Sequence, residues 1–194
     1  MQSVRLPCNG EAVINVDDEV LERARRIRLL VLDCDGVLSD GRIILLPGGE
    51  ETKQFDSKDG HGLRMASRAG LRLAIISGRR SFAVRARAED LGVAHVYEKA
   101  WNKLEPFNEV MAAEAVSPEE VCVMGDDVTD IPLLSRAGLA VSVSDAVDEA
   151  KACSHYVTLH AGGKGAVREV VELILKAQGK WEGEMARYYE DCQE

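Results

Sequence analysis

The segment Leu29-Leu30-Val31-Leu32-Asp33-Cys34-Asp35-Gly36 ends an apolar run in two carboxylates, one residue apart, and then a glycine. Clustered carboxylates repel each other and need a cation, a shared proton or solvent; a divalent metal is the simplest reason to place them there. Three further polar groups follow along the chain: Ser77 with Gly78, then Lys103, then Asp126-Asp127-x-x-Asp130. Carboxylates, one hydroxyl, one ammonium and several glycines suit phosphoryl transfer. Asp33, Asp126 and the nearby backbone are candidates to hold Mg²⁺ through hard oxygens. Mg²⁺ and Lys103 would neutralise phosphoryl oxygens that otherwise repel an incoming carboxylate. Ser77 and the N–H groups after it can hydrogen-bond the same oxygens. One carboxylate can then attack phosphorus to give an aspartyl phosphate. The other, when protonated, can donate to the leaving oxygen and later take a proton from water.

Taken singly, Ser77-Gly78 fits a strand-to-helix turn, Lys103 a solvated helix lysine, and the late aspartates a helix cap with solvated charge. Their joint order is what points to one site, because the elements between them place every group on one edge. Four apolar residues in a row, Leu29 to Leu32, fit a strand buried on both faces, as in a parallel sheet. Leu71–Ile76, a short strand within Gly92–Tyr97, Glu120–Met124, Leu139–Val143 and His155–Thr158 are further strands. Helices are expected after Asp17-Asp18 and over Asp59–Ala69, Ser81–Leu91, Lys103–Ala115, Asp145–Ala152 and Gly165–Ala177. Regular alternation of strand and helix predicts an α/β fold with a doubly wound parallel sheet, whose ligands sit at the carboxyl ends of the strands. Residues 42–46 and 51–55, joined by Pro47-Gly48-Gly49, predict a β-hairpin flap. Its apolar side chains are hard to bury in one small domain and point to a subunit contact. Residues 1–16 are expected to form an irregular arm, and no element is assigned to the tail over 180–194.

The 194 residues predict a single domain. An apolar share of 46% and a charged share of 29% are ordinary for a soluble globular protein. The net charge of −9 argues against nucleic acid or an anionic membrane as partner, though not against a small anionic substrate. The 5 cysteines (Cys8, Cys34, Cys122, Cys153, Cys192) are odd in number and fit no zinc spacing, as expected of reduced cytoplasmic thiols. No run is long enough to span a bilayer, and no signal peptide is expected at the N-terminus.

Asp33 to Gly41, Ser77-Gly78-Arg79, Lys103 and Gly125-Asp126-Asp127-x-x-Asp130 resemble the four ordered motifs of the haloacid dehalogenase superfamily. The resemblance implies a Rossmann-like core with Asp33 as nucleophile and Asp35 as acid/base. It also implies that the Asp35 backbone carbonyl touches Mg²⁺, that Ser77 and Lys103 hold phosphate, and that Asp126 is a metal ligand. Asp127 and Asp130 match positions that support the metal or the lysine. The gaps between motifs are too short for a cap domain, which implies the capless subgroup, whose members can close their sites by oligomerising. Within it, Lys58-Asp59-Gly60-His61-Gly62-Leu63-Arg64 and Gly162-Gly163-Lys164-Gly165 look like the 3-deoxy-D-manno-octulosonate 8-phosphate phosphatase family. That family implies a sugar-acid phosphate substrate, a homotetramer and a place in lipopolysaccharide precursor synthesis. His61 departs from the aromatic common there, and Ser77 replaces a threonine. Candidates to bind the sugar acid are Lys58, Arg64, Gly78 and Arg79, since arginine suits a carboxylate through its fork. Two other functions fit the same chain: a phosphatase for a nine-carbon sugar-acid phosphate, and a catalytically silent oligomeric scaffold. Intact Asp33, Asp35, Lys103 and Asp126 argue against the scaffold.

Overall fold

The computed structural model describes residues 16–190. The arm expected over 1–16 falls outside them except for Val16, as do Cys8 and Cys192. Helix α1 (Asp18–Arg25) starts where Asp17 caps it, the Asp17 carboxylate accepting from Glu19 N–H at 3.0 Å. Strand β1 (Leu29–Leu32) is apolar on both faces and essentially inaccessible throughout. It can be so only because it is the middle of a sheet covered on both sides.

The hairpin follows as β2 (Ile44–Leu45) and β3 (Glu51–Thr52), antiparallel, with Gly48 and Gly49 both at positive φ. Its pairing is shorter than the ten residues expected, and Ile43, Ile44, Leu45 and Leu46 all remain exposed. Helix α2 (Ser57–Arg68) begins two residues before the expected Asp59, because Asp56 accepts from Lys58 N–H at 2.6 Å and caps it earlier. Then come β4 (Arg72–Ile76), α3 (Phe82–Leu91), β5 (His95–Tyr97) and α4 (Leu104–Glu114). After them come β6 (Val121–Gly125), α5 (Ile131–Leu134), β7 (Leu139–Ser142), α6 (Asp148–Ala152), β8 (Tyr156–Val157) and α7 (Ala166–Ala177).

The six longer-range strands form one parallel sheet in the order β5-β4-β1-β6-β7-β8, so the α/β, doubly wound expectation holds. The chain leaves β1 toward β4 and β5, then returns to its other side for β6, β7 and β8. The order therefore reverses at β1, which makes the crevice above β1 and β6 the switch point where such sheets bind ligands. Helix α7 packs against both α1 and α2, and α5 against both α4 and α6.

The expected unassigned tail contains a helix, α8 (Trp181–Glu190). Gly183 in its first turn weakens the local helical signal, and tertiary packing overrides it. Arg168 and Lys176 of α7 lie over the Trp181 ring, 5.4 and 5.1 Å from its centroid. Buried Glu184 accepts from Arg68 of α2 at 2.9 Å. Among the described residues no helix is long and apolar enough to cross a membrane.

Leu30 lies at the centre of the sheet and is wholly buried. Leu30→Ala should lower the unfolding free energy by about 2–5 kcal/mol in equilibrium urea denaturation. A loss below about 1 kcal/mol would mean that the site collapses around the cavity or was never tightly packed.

Candidate active site

The strand register brings the polar groups together. Leu32 of β1 stands level with Ile75 of β4 and Met124 of β6. Asp33 therefore lies one step beyond, and Ser77 and Asp126 two steps beyond on the flanking strands. The Asp33 N–H still donates to Met124 O at 3.0 Å, which carries the ladder into the site. A tight turn then reverses the chain: Leu38 and Ser39 N–H both donate to Cys34 O, at 3.1 and 3.0 Å.

Gly36 in that turn must be glycine for two reasons. Its φ is +108°, and a Cβ there would come within 2.1 Å of Asp126 Oδ2. The Gly162-Gly163 loop, part of the family resemblance, packs directly on this turn. Gly163 N–H donates to Val37 O at 2.9 Å, and Asp145 Oδ1 accepts from Gly162 N–H at 2.9 Å. The same loop is held from below by Asp59, which is buried and accepts from Gly165 and Arg168 N–H at 3.1 and 2.8 Å.

Lys103 sits at the N-cap of α4 with its ammonium buried between two carboxylates. Nζ is 2.5 Å from Asp33 Oδ1 and 2.6 Å from Asp130 Oδ1. The other oxygen of Asp130, Oδ2, accepts from Asp126 N–H at 3.1 Å. Asp130 is thereby occupied as a clamp joining the lysine to the β6 turn. Asp127 is exposed, and its carboxylate accepts from Val128 N–H at 2.7 Å, a cap rather than a partner of Lys103. Ser77 is buried; its N–H donates to Tyr97 O at 2.9 Å and its Oγ accepts from Arg79 N–H at 3.2 Å.

Charge does not balance in this cluster. Carboxylate oxygens of Asp33, Asp126 and Asp130 lie within 4.8 Å of one another, with one ammonium among them. Burial pushes Asp33 up to about 7 despite Lys103, which pulls it down, while Asp130 adds to the rise. Asp126 is pushed up to about 8, by burial first and then by the charges of Asp33, Asp130 and Asp127. Its carboxylate takes no hydrogen bond among the described residues. Two under-compensated carboxylates, one buried and one half-buried, at the ends of adjacent strands fit a hard divalent cation such as Mg²⁺. Asp130, with both oxygens engaged, is not free to serve in the same way.

The substrate-binding candidates fare differently. Arg79 forms an ion pair with Glu51 of the hairpin. Gly78 has open space where a side chain would stand. Lys58 is exposed and lies 3.8 Å from Asp56, near the Gly165 end of the glycine loop. Arg64 is drawn away from the others. Its guanidinium donates to Asp90 Oδ1 and O at 2.7 and 3.0 Å, in the last turn of α3, which returns to the amino edge of the sheet. The Arg64 fork, expected to meet a substrate carboxylate, is turned to α3 instead of to the strand ends.

Lys53 was not among the candidates. It ion-pairs with Asp35, and its side chain is 1% exposed. The one signal available was its spacing: Glu51 and Lys53 share a face of the return strand, opposite Thr52.

Known proteins resemble this chain in sequence and in fold. The model of the haloacid dehalogenase-like hydrolase family matches residues 90–170. The 3-deoxy-D-manno-octulosonate 8-phosphate phosphatase KdsC of Yersinia pestis is 45% identical over 168 residues, 87% of this chain and 90% of that protein. The crystal structure of the phosphatase of that name from Moraxella catarrhalis, in complex with magnesium ion, phosphate ion and KDO, superposes with a TM-score of 0.86 at 39% identity. The match covers 88% of this chain and 98% of that one. The cobalt-bound deoxy-D-mannose-octulosonate 8-phosphate phosphatase of Haemophilus influenzae matches with a TM-score of 0.80 at 34% identity, over 82% and 93% of the two chains. By sequence and fold along most of its length, the chain belongs to the 3-deoxy-D-manno-octulosonate 8-phosphate phosphatase family of haloacid dehalogenase-like hydrolases.

Proposed function

We propose that the chain is a Mg²⁺-dependent phosphatase that hydrolyses 3-deoxy-D-manno-octulosonate 8-phosphate to the free sugar acid and phosphate. The observation that carries this is the Lys103 ammonium shared by Asp33 and Asp130, with Asp126 uncompensated beside them. The names of the relatives supply the sugar acid, since the matches cover 87% and 88% of this chain.

Asp33, Asp126 and the Asp35 carbonyl would hold the metal. When bound, Mg²⁺ supplies positive charge against the phosphoryl oxygens. Lys103 and Ser77 hold the phosphate and keep Asp33 aimed at phosphorus. Asp33 attacks phosphorus as the bond from phosphorus to the sugar oxygen breaks, and Asp35 gives its proton to that oxygen. Water then attacks the aspartyl phosphate, Asp35 takes its proton, and the bond to Asp33 breaks to release phosphate and restore the carboxylate. Asp130 orients Lys103, and Asp127 shapes the turn that presents Asp126. Arg79, Gly78 and Lys58 form the surroundings of the sugar acid, with Arg79 the fork for its carboxylate. Arg64, which reaches Asp90 at the amino edge of the sheet, has no part in this.

The same proposal makes the protein a cytoplasmic homotetramer acting in lipopolysaccharide precursor synthesis. Exposed Ile43, Ile44, Leu45 and Leu46 on the hairpin support the assembly, and the free thiols Cys34, Cys122 and Cys153 support a reducing compartment.

Phosphate release from a panel of sugar phosphates should be strongest for 3-deoxy-D-manno-octulosonate 8-phosphate with Mg²⁺ and should vanish with EDTA. Preference for a nine-carbon acid phosphate would overturn the substrate, and release unaffected by EDTA would overturn the metal. Asp33→Asn should keep its circular dichroism spectrum and lose turnover by roughly 10⁴-fold or more, as removal of a nucleophile does. Retained turnover would sink the assignment of Asp33.

A further inference from the structure

A lysine with a 1% exposed side chain is out of place on this hairpin. The hairpin has two short strands, and the apolar residues of its first arm are exposed, so its own packing does not bury Lys53. What takes the side chain out of solvent is the turn after β1, where its Nζ meets Asp35 Oδ1. Lys53 is the one hydrogen-bond partner of the Asp35 carboxylate among the described residues. Two residues earlier on the same face, Glu51 ion-pairs with Arg79, so the hairpin touches both ends of the site.

Asp35 stands directly after the turn's start and before Gly36, in backbone held by its bridge to Ser39. The backbone fixes where the carboxylate is rooted but not which way it points. A side chain that must first meet the leaving oxygen and then a water needs its orientation held between the two steps, and a displacement of 1 Å at such a group is costly.

We infer that Lys53 is a positioning residue for hydrolysis: from the hairpin stem it fixes the orientation of the Asp35 carboxylate toward the leaving oxygen. This rests on Asp35 serving as the proton donor and acceptor proposed for it. The hairpin is then part of the catalytic apparatus of its own subunit, in addition to any contact it makes with another.

A merely structural ion pair and a positioning one differ in their dependence on the leaving group. A sugar alkoxide needs the proton from Asp35, whereas a nitrophenolate leaves with little help. Lys53→Met should lower kcat/KM for the sugar-acid phosphate by about a hundredfold. For p-nitrophenyl phosphate kcat/KM, which reports only the steps through loss of the leaving group, should fall far less, while the shared hydrolysis of the aspartyl phosphate enters kcat alone. Asp35→Asn should show the same contrast more strongly, and Lys53→Arg should recover part of the loss. Should Lys53→Met fail to fold, Lys53→Gln, which keeps a donor without the charge, carries the same test.

Equal losses on both substrates would overturn the inference while leaving Asp35 in its role. So would the same leaving-group contrast in Glu51→Gln, because the effect would then belong to hairpin docking as a whole. An Asp35→Asn enzyme with full turnover of the sugar-acid phosphate would overturn the role of Asp35 and the inference with it.

Discussion

One buried ammonium organises this site. Lys103 enters from the start of α4 and is held at 2.5 and 2.6 Å by carboxylates from β1 and from the turn after β6. Three chain segments remote in sequence are tied at one point in a medium where an unpaired charge is expensive. Removing one partner of such a buried pair typically costs about 3–5 kcal/mol, because the other is left uncompensated. Yet the pair is not self-sufficient. Asp126 adds a further negative charge, and both it and Asp33 are driven above the ordinary carboxylate range by burial. Three carboxylates share one ammonium, and that donor set suits a divalent cation, which in turn draws in a phosphoryl group.

Everything else in the fold serves to keep those groups at contact distance. Parallel register sets Asp33, Ser77 and Asp126 within a step of each other at one edge. The β1 strand bears no polar side chain, so nothing competes with its burial, and its end is where the polar residues begin. Glycine at position 36 lets Asp126 approach the turn, and glycines 162 and 163 let a distant loop close over it. Asp59 and Asp145, neither facing the reaction, anchor that loop through backbone N–H groups. The hairpin adds the last constraint, reaching in with Lys53 and Glu51.

Much of this was legible in the sequence because it follows from local pattern. Uniformly apolar runs ending in Asp or Ser mark buried parallel strands, and their order alone places Asp33, Asp35, Ser77 and Asp126 on one edge. Lys103 was legible through its place at a helix start in the family pattern. What escaped depends on side-chain direction and on packing between distant elements. Arg64 lies close in sequence to the site but extends down its helix to Asp90. Lys53 looks like any exposed hairpin lysine until the hairpin is folded against the β1 turn. Helix α8 carries a glycine in its first turn, and what holds it is Trp181 and Glu184 against α7 and α2, contacts that no local periodicity displays. Asp127 and Asp130 share a motif, and only the folded turn separates a clamp on Lys103 from a turn cap.

The central claim is that Asp33 forms a bond to phosphorus and that water breaks it in a second displacement. Each in-line displacement inverts phosphorus, so two of them restore the original configuration. The most direct test is hydrolysis, in water of one oxygen isotope, of the sugar-acid thiophosphate made chiral at phosphorus by the other two, with the configuration of the released thiophosphate determined. Net retention is the expected result. Net inversion would mean that water attacks the substrate directly, leaving Asp33 as a charge in the site rather than its nucleophile.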